Sequence, residues 1–135
     1  MKTAQGSVPV MRVARATNDL APLRRFYSDG LGFEEISGFE NHDGFDGAMM
    51  GHPAWPYHLE FTVRHGHYVS GASTPENLLV FYLPDAADWT RAVVRMEAAG
   101  FDPVEPANPW WSTHGRTFED ADGYRVVLEN RAWVR

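Results

Sequence analysis

One pattern of elements occurs twice along this chain of 135 residues, the copies about 67 residues apart. No other feature limits the fold as tightly, because each copy has an apolar face to bury and the other copy lies beside it in the chain. The first copy begins with the strand-like run Arg12-Val13-Ala14-Arg15-Ala16-Thr17. Asn18-Asp19 then opens a helix from Leu20 through Ser28, with Leu20, Leu23, Phe26 and Tyr27 at helical spacing, and Asp29-Gly30 stops it. Leu31-Gly32-Phe33-Glu34-Glu35-Ile36 leads into a strand. Asn41-His42-Asp43-Gly44 turns the chain and another strand covers Asp46 to Gly51. Tyr57-His58-Leu59-Glu60-Phe61-Thr62 alternates as a half-buried strand does, so the order is βαβββ.

The second copy starts with a strand from Leu78 to Leu83. Pro84-Asp85 opens a helix carrying Trp89, Val93 and Met96 on one stripe, and Gly100 closes it. Gly100-Phe101-Asp102-Pro103-Val104 answers Gly32-Phe33-Glu34-Glu35-Ile36, so a strand is expected there. After a loop rich in Pro and Trp, from Pro106 to Gly115, come a short strand Arg116-Thr117-Phe118-Glu119, a turn Asp120-Ala121-Asp122-Gly123 and a last strand from Tyr124 to Asn130. The reading gives units 10–63 and 77–131 within a single domain 1–135. The linker 64–76 is marked by Gly66, Ser70, Gly71, Ser73 and Pro75. Each unit covers one sheet face with its helix and leaves the other open. Pairing the open faces, within one chain or across a dimer, predicts an α+β fold with a curved mixed sheet around a cleft.

Composition narrows the function classes. With 44% apolar residues and no cysteine, the chain must rely on its core rather than on disulfides or thiolate-bound zinc. A net charge of −6 with 12 scattered basic residues argues against a phosphate-tracking surface, so no nucleic-acid partner is expected. The longest apolar run, Asn77 to Leu83, is far short of the roughly 20 residues that span a bilayer, so no membrane span is expected. Met1-Lys2-Thr3-Ala4-Gln5-Gly6-Ser7 lacks the apolar stretch of a secretory signal, which makes a cytoplasmic location the default expectation.

Three motifs carry a family resemblance: Arg12-Val13-Ala14-Arg15-Ala16-Thr17-Asn18-Asp19-Leu20, then Arg25-Phe26-Tyr27 with Gly30-Leu31-Gly32-Phe33, and Phe118-Glu119-Asp120-Ala121-Asp122-Gly123-Tyr124. Together they resemble the vicinal-oxygen-chelate superfamily, which contains glyoxalases, bleomycin-resistance proteins, extradiol dioxygenases and fosfomycin-resistance enzymes. Asn108-Pro109-Trp110-Trp111 ahead of Thr117-Phe118-Glu119-Asp120 is similar to a subgroup of small bacterial members. The resemblance implies the paired βαβββ fold, a homodimer and a cleft that holds a small molecule. In metal-dependent members it also implies four cleft-facing ligand positions, which fall here on Arg12, Glu60, Leu78 and Val127. Only Glu60 offers a donor, since a guanidinium has no free lone pair and leucine and valine cannot ligate. No metal and no other cofactor is therefore expected, with a divalent ion as the competing expectation.

The resemblance and strand alternation together place Arg12, His58, Glu60, Leu78, Val80, Tyr82, Val127 and Glu129 on the cleft, with Trp110 and Trp111 as a wall or an interface. Such a lining suits a partly apolar ligand with a cationic end near Glu60 or Glu129. Binding without chemistry is the leading expectation. The alternative is an enzyme of lyase, dioxygenase or transferase type, using a metal or using His58 and Glu60 as acid and base. A protein-interaction module whose aromatic residues are all interface is the third. His65-Gly66-His67 would clamp zinc only if His42 or His114 came close; an exposed pair in the linker is the simpler reading. Trp55-Pro56-Tyr57 places further aromatic surface outside the helix-packing stripes.

Overall fold

Both aspartates read as helix starts cap helices. The computed structural model describes residues 7–133, and residues 1–6 of the stretch read for a leader lie outside it. Asp19, in extended backbone, accepts a hydrogen bond from the Ala21 amide at 3.0 Å and opens α1 (Leu20–Arg24). Asp85 accepts from the Asp88 amide at 2.9 Å and opens α2 (Ala86–Ala98). The strands are β1 (Met11–Ala16), β2 (Glu34–His42), β3 (Phe45–Gly51), β4 (Tyr57–Arg64), β5 (Leu78–Tyr82), β6 (Gly115–Glu119) and β7 (Arg125–Glu129). They form a four-stranded sheet in the order β1-β4-β3-β2 and a three-stranded sheet in the order β5-β7-β6. Within each unit the first and last strands run parallel side by side, β1 on β4 and β5 on β7, and the other neighbours are antiparallel. The result is an α+β fold with two mixed sheets.

Two elements depart from the expected pattern. The second unit has no full strand after α2: only Val104 pairs, as a single bridge to Thr117. Pro103 and Pro106 flank it, and proline supplies no amide donor to a ladder, so pairing cannot extend. The first helix is α-helical only to Arg24 and continues as a π-helical turn over Arg25–Gly30. The wider turn lets the neighbours Phe26 and Tyr27 both point inward, and both are fully buried. Gly30, in that turn, is where the two helices touch: a Cβ there would lie 2.7 Å from Met96 Sδ.

The core is shared between the units. Leu23, Phe26 and Tyr27 of the first helix meet Val93 and Met96 of α2, between Ala48, Met50, Leu59 and Phe61 of one sheet and Phe118, Val126 and Leu128 of the other. Phe26 packs edge-on to Phe101, with ring centroids 5.0 Å apart. The Tyr27 hydroxyl donates to Asp120 Oδ2 at 2.7 Å, while Asp120 Oδ1 accepts from the amides of Asp122 at 2.9 Å and Tyr124 at 3.1 Å. Burial pushes the Asp120 carboxyl up from its ordinary value, and burial together with the Asp120 charge pushes the Tyr27 hydroxyl well above its own. The helix motif and the turn motif that carry the family resemblance are thus the two sides of one buried contact. The linker is tied down as well, because the Asn18 amide group donates to the Val69 carbonyl at 2.7 Å and accepts from the Val69 amide at 2.8 Å. Among the described residues no helix is long and apolar enough to cross a bilayer.

Candidate functional site

The parallel register of β1 on β4 sets Arg12 directly opposite His58, and Glu60 follows two residues on, on the same face. That face points away from the core, since Leu59 and Phe61 fill the alternate positions and are buried. Arg12 Nε donates to His58 Nε2 at 2.9 Å, and its Nη1 reaches Glu60 Oε2 at 3.4 Å. In the bond to His58 the Nε2 lone pair is the acceptor. Arg12 is nearly half exposed, whereas the Glu60 side chain is only 14% exposed. His58 and Glu60, the acid–base candidates, are therefore each bound to the same guanidinium.

The residues present do not fit a divalent ion. Of the four carried-over positions Glu60 alone offers an oxygen, and a fixed positive charge stands beside it. Among the described residues no three of His, Asp and Glu gather closely enough to hold a metal. The linker histidines do not converge: His65 Nε2 pairs with Asp46 Oδ1 at 2.9 Å, while His67 Nδ1 meets its own neighbour's carbonyl, that of His65, at 3.1 Å. The Asn41 amide, followed by His65, holds the Asp46 carboxyl below its ordinary value. His42 lies 3.6 Å from Asp43 instead.

The remaining candidates share the corresponding outer face of the second sheet. Val80 stands opposite Val127 and Tyr82 opposite Glu129, while from β6 Thr117 stands opposite Val127 and Gly115 opposite Glu129. Leu78 pairs with Arg125 at the far end. Val127, Glu129 and Thr117 are buried although they face away from the helices. The loop before β6 covers them. Asn108 caps a 3₁₀ turn over Pro109–Ser112 by accepting from the Trp110 amide at 3.0 Å, and the turn brings the Trp111 carbonyl over Gly115. Cavities of about 210 and 200 Å³ flank it, and Pro106, Trp111 and Thr117 line both. Arg131 Nε stands 2.8 Å from Glu129 Oε2 as an ion pair, and the Arg131 guanidinium lies 4.5 Å from the centre of the Trp110 ring.

The structure thus gathers Arg12, His58 and Glu60 on one sheet and Leu78, Val80, Tyr82, Val127 and Glu129 on the other. Among the described residues no hydrogen bond or ion pair joins the two groups. Sequence reasoning missed Gly115, Thr117 and Arg131. No sequence signal reached Arg131, which lies in a bend beyond β7 with its amide donating to the Glu129 carbonyl at 3.0 Å, where the strand period of two no longer applies. Trp55 and Tyr57 lie elsewhere, stacked with ring centroids 5.5 Å apart where the units abut. They line a cavity of about 290 Å³ together with Phe33 and Phe81, and Arg91 and Arg95 stand at its rim. Burial raises the Tyr57 hydroxyl there above its ordinary value.

Residues 11–62 match the family model of the YycE-like N-terminal domain and residues 76–130 that of the YycE-like C-terminal domain. The uncharacterised protein YycE of Bacillus subtilis strain 168 is 42% identical over 120 residues, which covers 89% of this chain and 86% of that protein. The chain belongs to the YycE-like family. The crystal structure of a YycE protein of unknown function from Bacillus subtilis superposes on this YycE-like chain with a TM-score of 0.85 at 39% identity, covering 94% of this chain and 93% of that one. Two more distant structures share the fold. The fosfomycin resistance protein FosX of Mesorhizobium loti has a TM-score of 0.68 at 15% identity, covering 98% of this chain and 95% of its own. The glyoxalase I of Leishmania major has 0.70 at 18%, covering 93% and 88%. The YycE-like chain therefore has the vicinal-oxygen-chelate fold, and the superfamily resemblance of its motifs holds.

Proposed function

We propose that this YycE-like protein binds a small, partly apolar organic ligand on the outer faces of its two sheets, and that it does so without the divalent ion of its metal-dependent relatives. One observation carries the proposal. The Arg12 guanidinium bridges His58 and Glu60, and Arg12 and Glu60 are two of the positions that the superfamily resemblance gives to metal ligands, so the face already holds its own positive charge. The second sheet contributes Leu78, Val80, Tyr82 and Val127 as apolar lining and Glu129 as an anionic end, a lining typical of pockets that orient an organic molecule by a few polar groups. Pairing two chains, the first sheet of one against the second sheet of the other, closes a cleft from these halves. The proposal includes that homodimer, which light scattering after gel filtration reads as twice the 15.2 kDa chain mass.

Metal analysis of the purified protein, followed by chelation, tests the metal-free site. We expect no stoichiometric divalent ion and no change in ligand binding. A bound ion whose removal abolishes binding overturns the proposal. The acid–base alternative separates on His58→Ala: a site that only binds keeps its ligand affinity within a few-fold, whereas a general base loses turnover by about 100-fold or more.

A further inference from the structure

Glu129 is fully buried, and a buried carboxylate needs a partner. Its partner is Arg131, which turns back from beyond the end of β7 and keeps 32% of its side chain exposed. The guanidinium is thereby held between the carboxylate and the Trp110 indole face, with Trp110 itself half exposed. The arrangement is under-filled. Arg131 Nε lies close to Oε2 but off line for a hydrogen bond, so among the described residues neither Glu129 oxygen accepts one, and the buried Thr117 hydroxyl has no partner either. Gly115 makes the room: a Cβ there would come within 2.5 Å of Glu129 Oε1 and 2.8 Å of the Trp111 carbonyl. Next to Gly115, Trp111 lines two cavities of about 210 and 200 Å³, both also lined by Pro106 and Thr117, and belongs to a turn of four residues.

We infer that Arg131 is an internal stand-in for the ligand's cation and that the 3₁₀ turn is the lid over the site it occupies. The ligand is an organic cation of amidinium or guanidinium type with a flat apolar body. Its charged end replaces Arg131 between Glu129 and Trp110, and its body displaces Trp111, joining the two cavities into a space on the scale of small-ligand pockets, about 300–1,000 Å³. This inference rests on the ligand-binding reading above and adds the charge class of the ligand and the device that competes with it. Because Arg131 is tethered, it competes at the high effective concentration of an intramolecular partner, so a free cation binds the unaltered protein weakly.

Benzamidine, an aromatic amidinium, is the probe, and neutral benzamide is its control. Calorimetric titration should show weak benzamidine binding to the unaltered protein, at least tenfold tighter binding to Arg131→Ala, and none to Glu129→Gln or of benzamide to any form. If Arg131→Ala fails to fold alone, folding it in the presence of benzamidine but not benzamide supports the inference. Trp110→Ala, at a half-exposed position, gives a further readout, since losing the indole face should weaken the probe's binding. Benzamidine affinity that is indifferent to both Arg131→Ala and Glu129→Gln overturns the inference, as does an absence of binding to every form. Affinity lost in Glu60→Gln instead also overturns it, while leaving the ligand-binding reading of the sheet faces standing.

Discussion

Arg12 decides what its face can do. It is nearly half exposed, so its pair with Glu60 contributes little to stability, and Arg12→Ala should cost no more than about 1 kcal/mol in urea unfolding. Its chemical weight is larger. Arg12→His would replace the fixed cation with a neutral donor beside His58 and Glu60, completing a set of two imidazoles and a carboxylate. We expect that variant to bind zinc or manganese stoichiometrically, as read by calorimetry, and a variant that takes up no metal would show that more than Arg12 bars the ion. Tyr27 and Asp120 behave oppositely, being structural and deep. Tyr27→Phe removes the hydroxyl donor from a buried carboxylate and should cost about 1–3 kcal/mol. Asp120 also gives a pH signature. Its folded value is raised above the ordinary 3.8, so the native state holds the proton more tightly than the unfolded chain does. That stabilisation is complete below 3.8 and disappears as pH rises through the raised folded value. Relative to Asp120→Asn, the unaltered protein should therefore gain stability as pH falls through that window, measured by urea unfolding of both at neutral and acid pH.

Among the elements, the caps were legible in the sequence and the irregular turns were not. Asp19 and Asp85 precede apolar stripes, and a side-chain oxygen at that position satisfies an amide that the helix cannot, so the starts follow from local chemistry. The π-helical turn at Arg25–Gly30 is different. Nothing local favours it; it forms because Phe26 and Tyr27 both have partners in the second unit, in Phe101 and Asp120. The missing strand around Val104 was readable in principle from Pro103 and Pro106, but the repeat suggested a strand and the prolines prevailed. Two glycines test the close contacts between elements. Gly115→Ala should destabilise by about 2–3 kcal/mol, because its Cβ would crowd the buried Glu129 carboxylate and the carbonyls of Trp111 and Leu128 at once. Gly30→Ala should cost less, about 1–2 kcal/mol, because Met96 Sδ belongs to a flexible side chain that can turn aside. Equal losses in thermal unfolding would contradict this ordering.

At the scale of the whole molecule, the core belongs to neither unit. Leu23 and Phe26 come from one half and Met96 and Phe118 from the other, all within one buried cluster. We expect a single cooperative calorimetric transition, and a fragment carrying residues 1–70 alone should lack stable tertiary structure, read by the loss of dispersed amide resonances. A fragment that folds would mean the units are independent after all. The candidate site was legible to a similar degree. Strand alternation was enough to put His58 and Glu60 on one face and Val127 and Glu129 on another, since a period of two follows from strand geometry alone. By the same means the sequence determined the repeat, the helix starts and the absence of ligating side chains at Leu78 and Val127. These depend on residue type and spacing within a few positions. The tertiary structure alone decided that Arg12 bonds both His58 and Glu60, that Trp111 and Thr117 line the same cavity, and that Tyr27 meets Asp120. Those contacts join residues far apart in the chain, where spacing carries no information and only the packing of the two units brings them together.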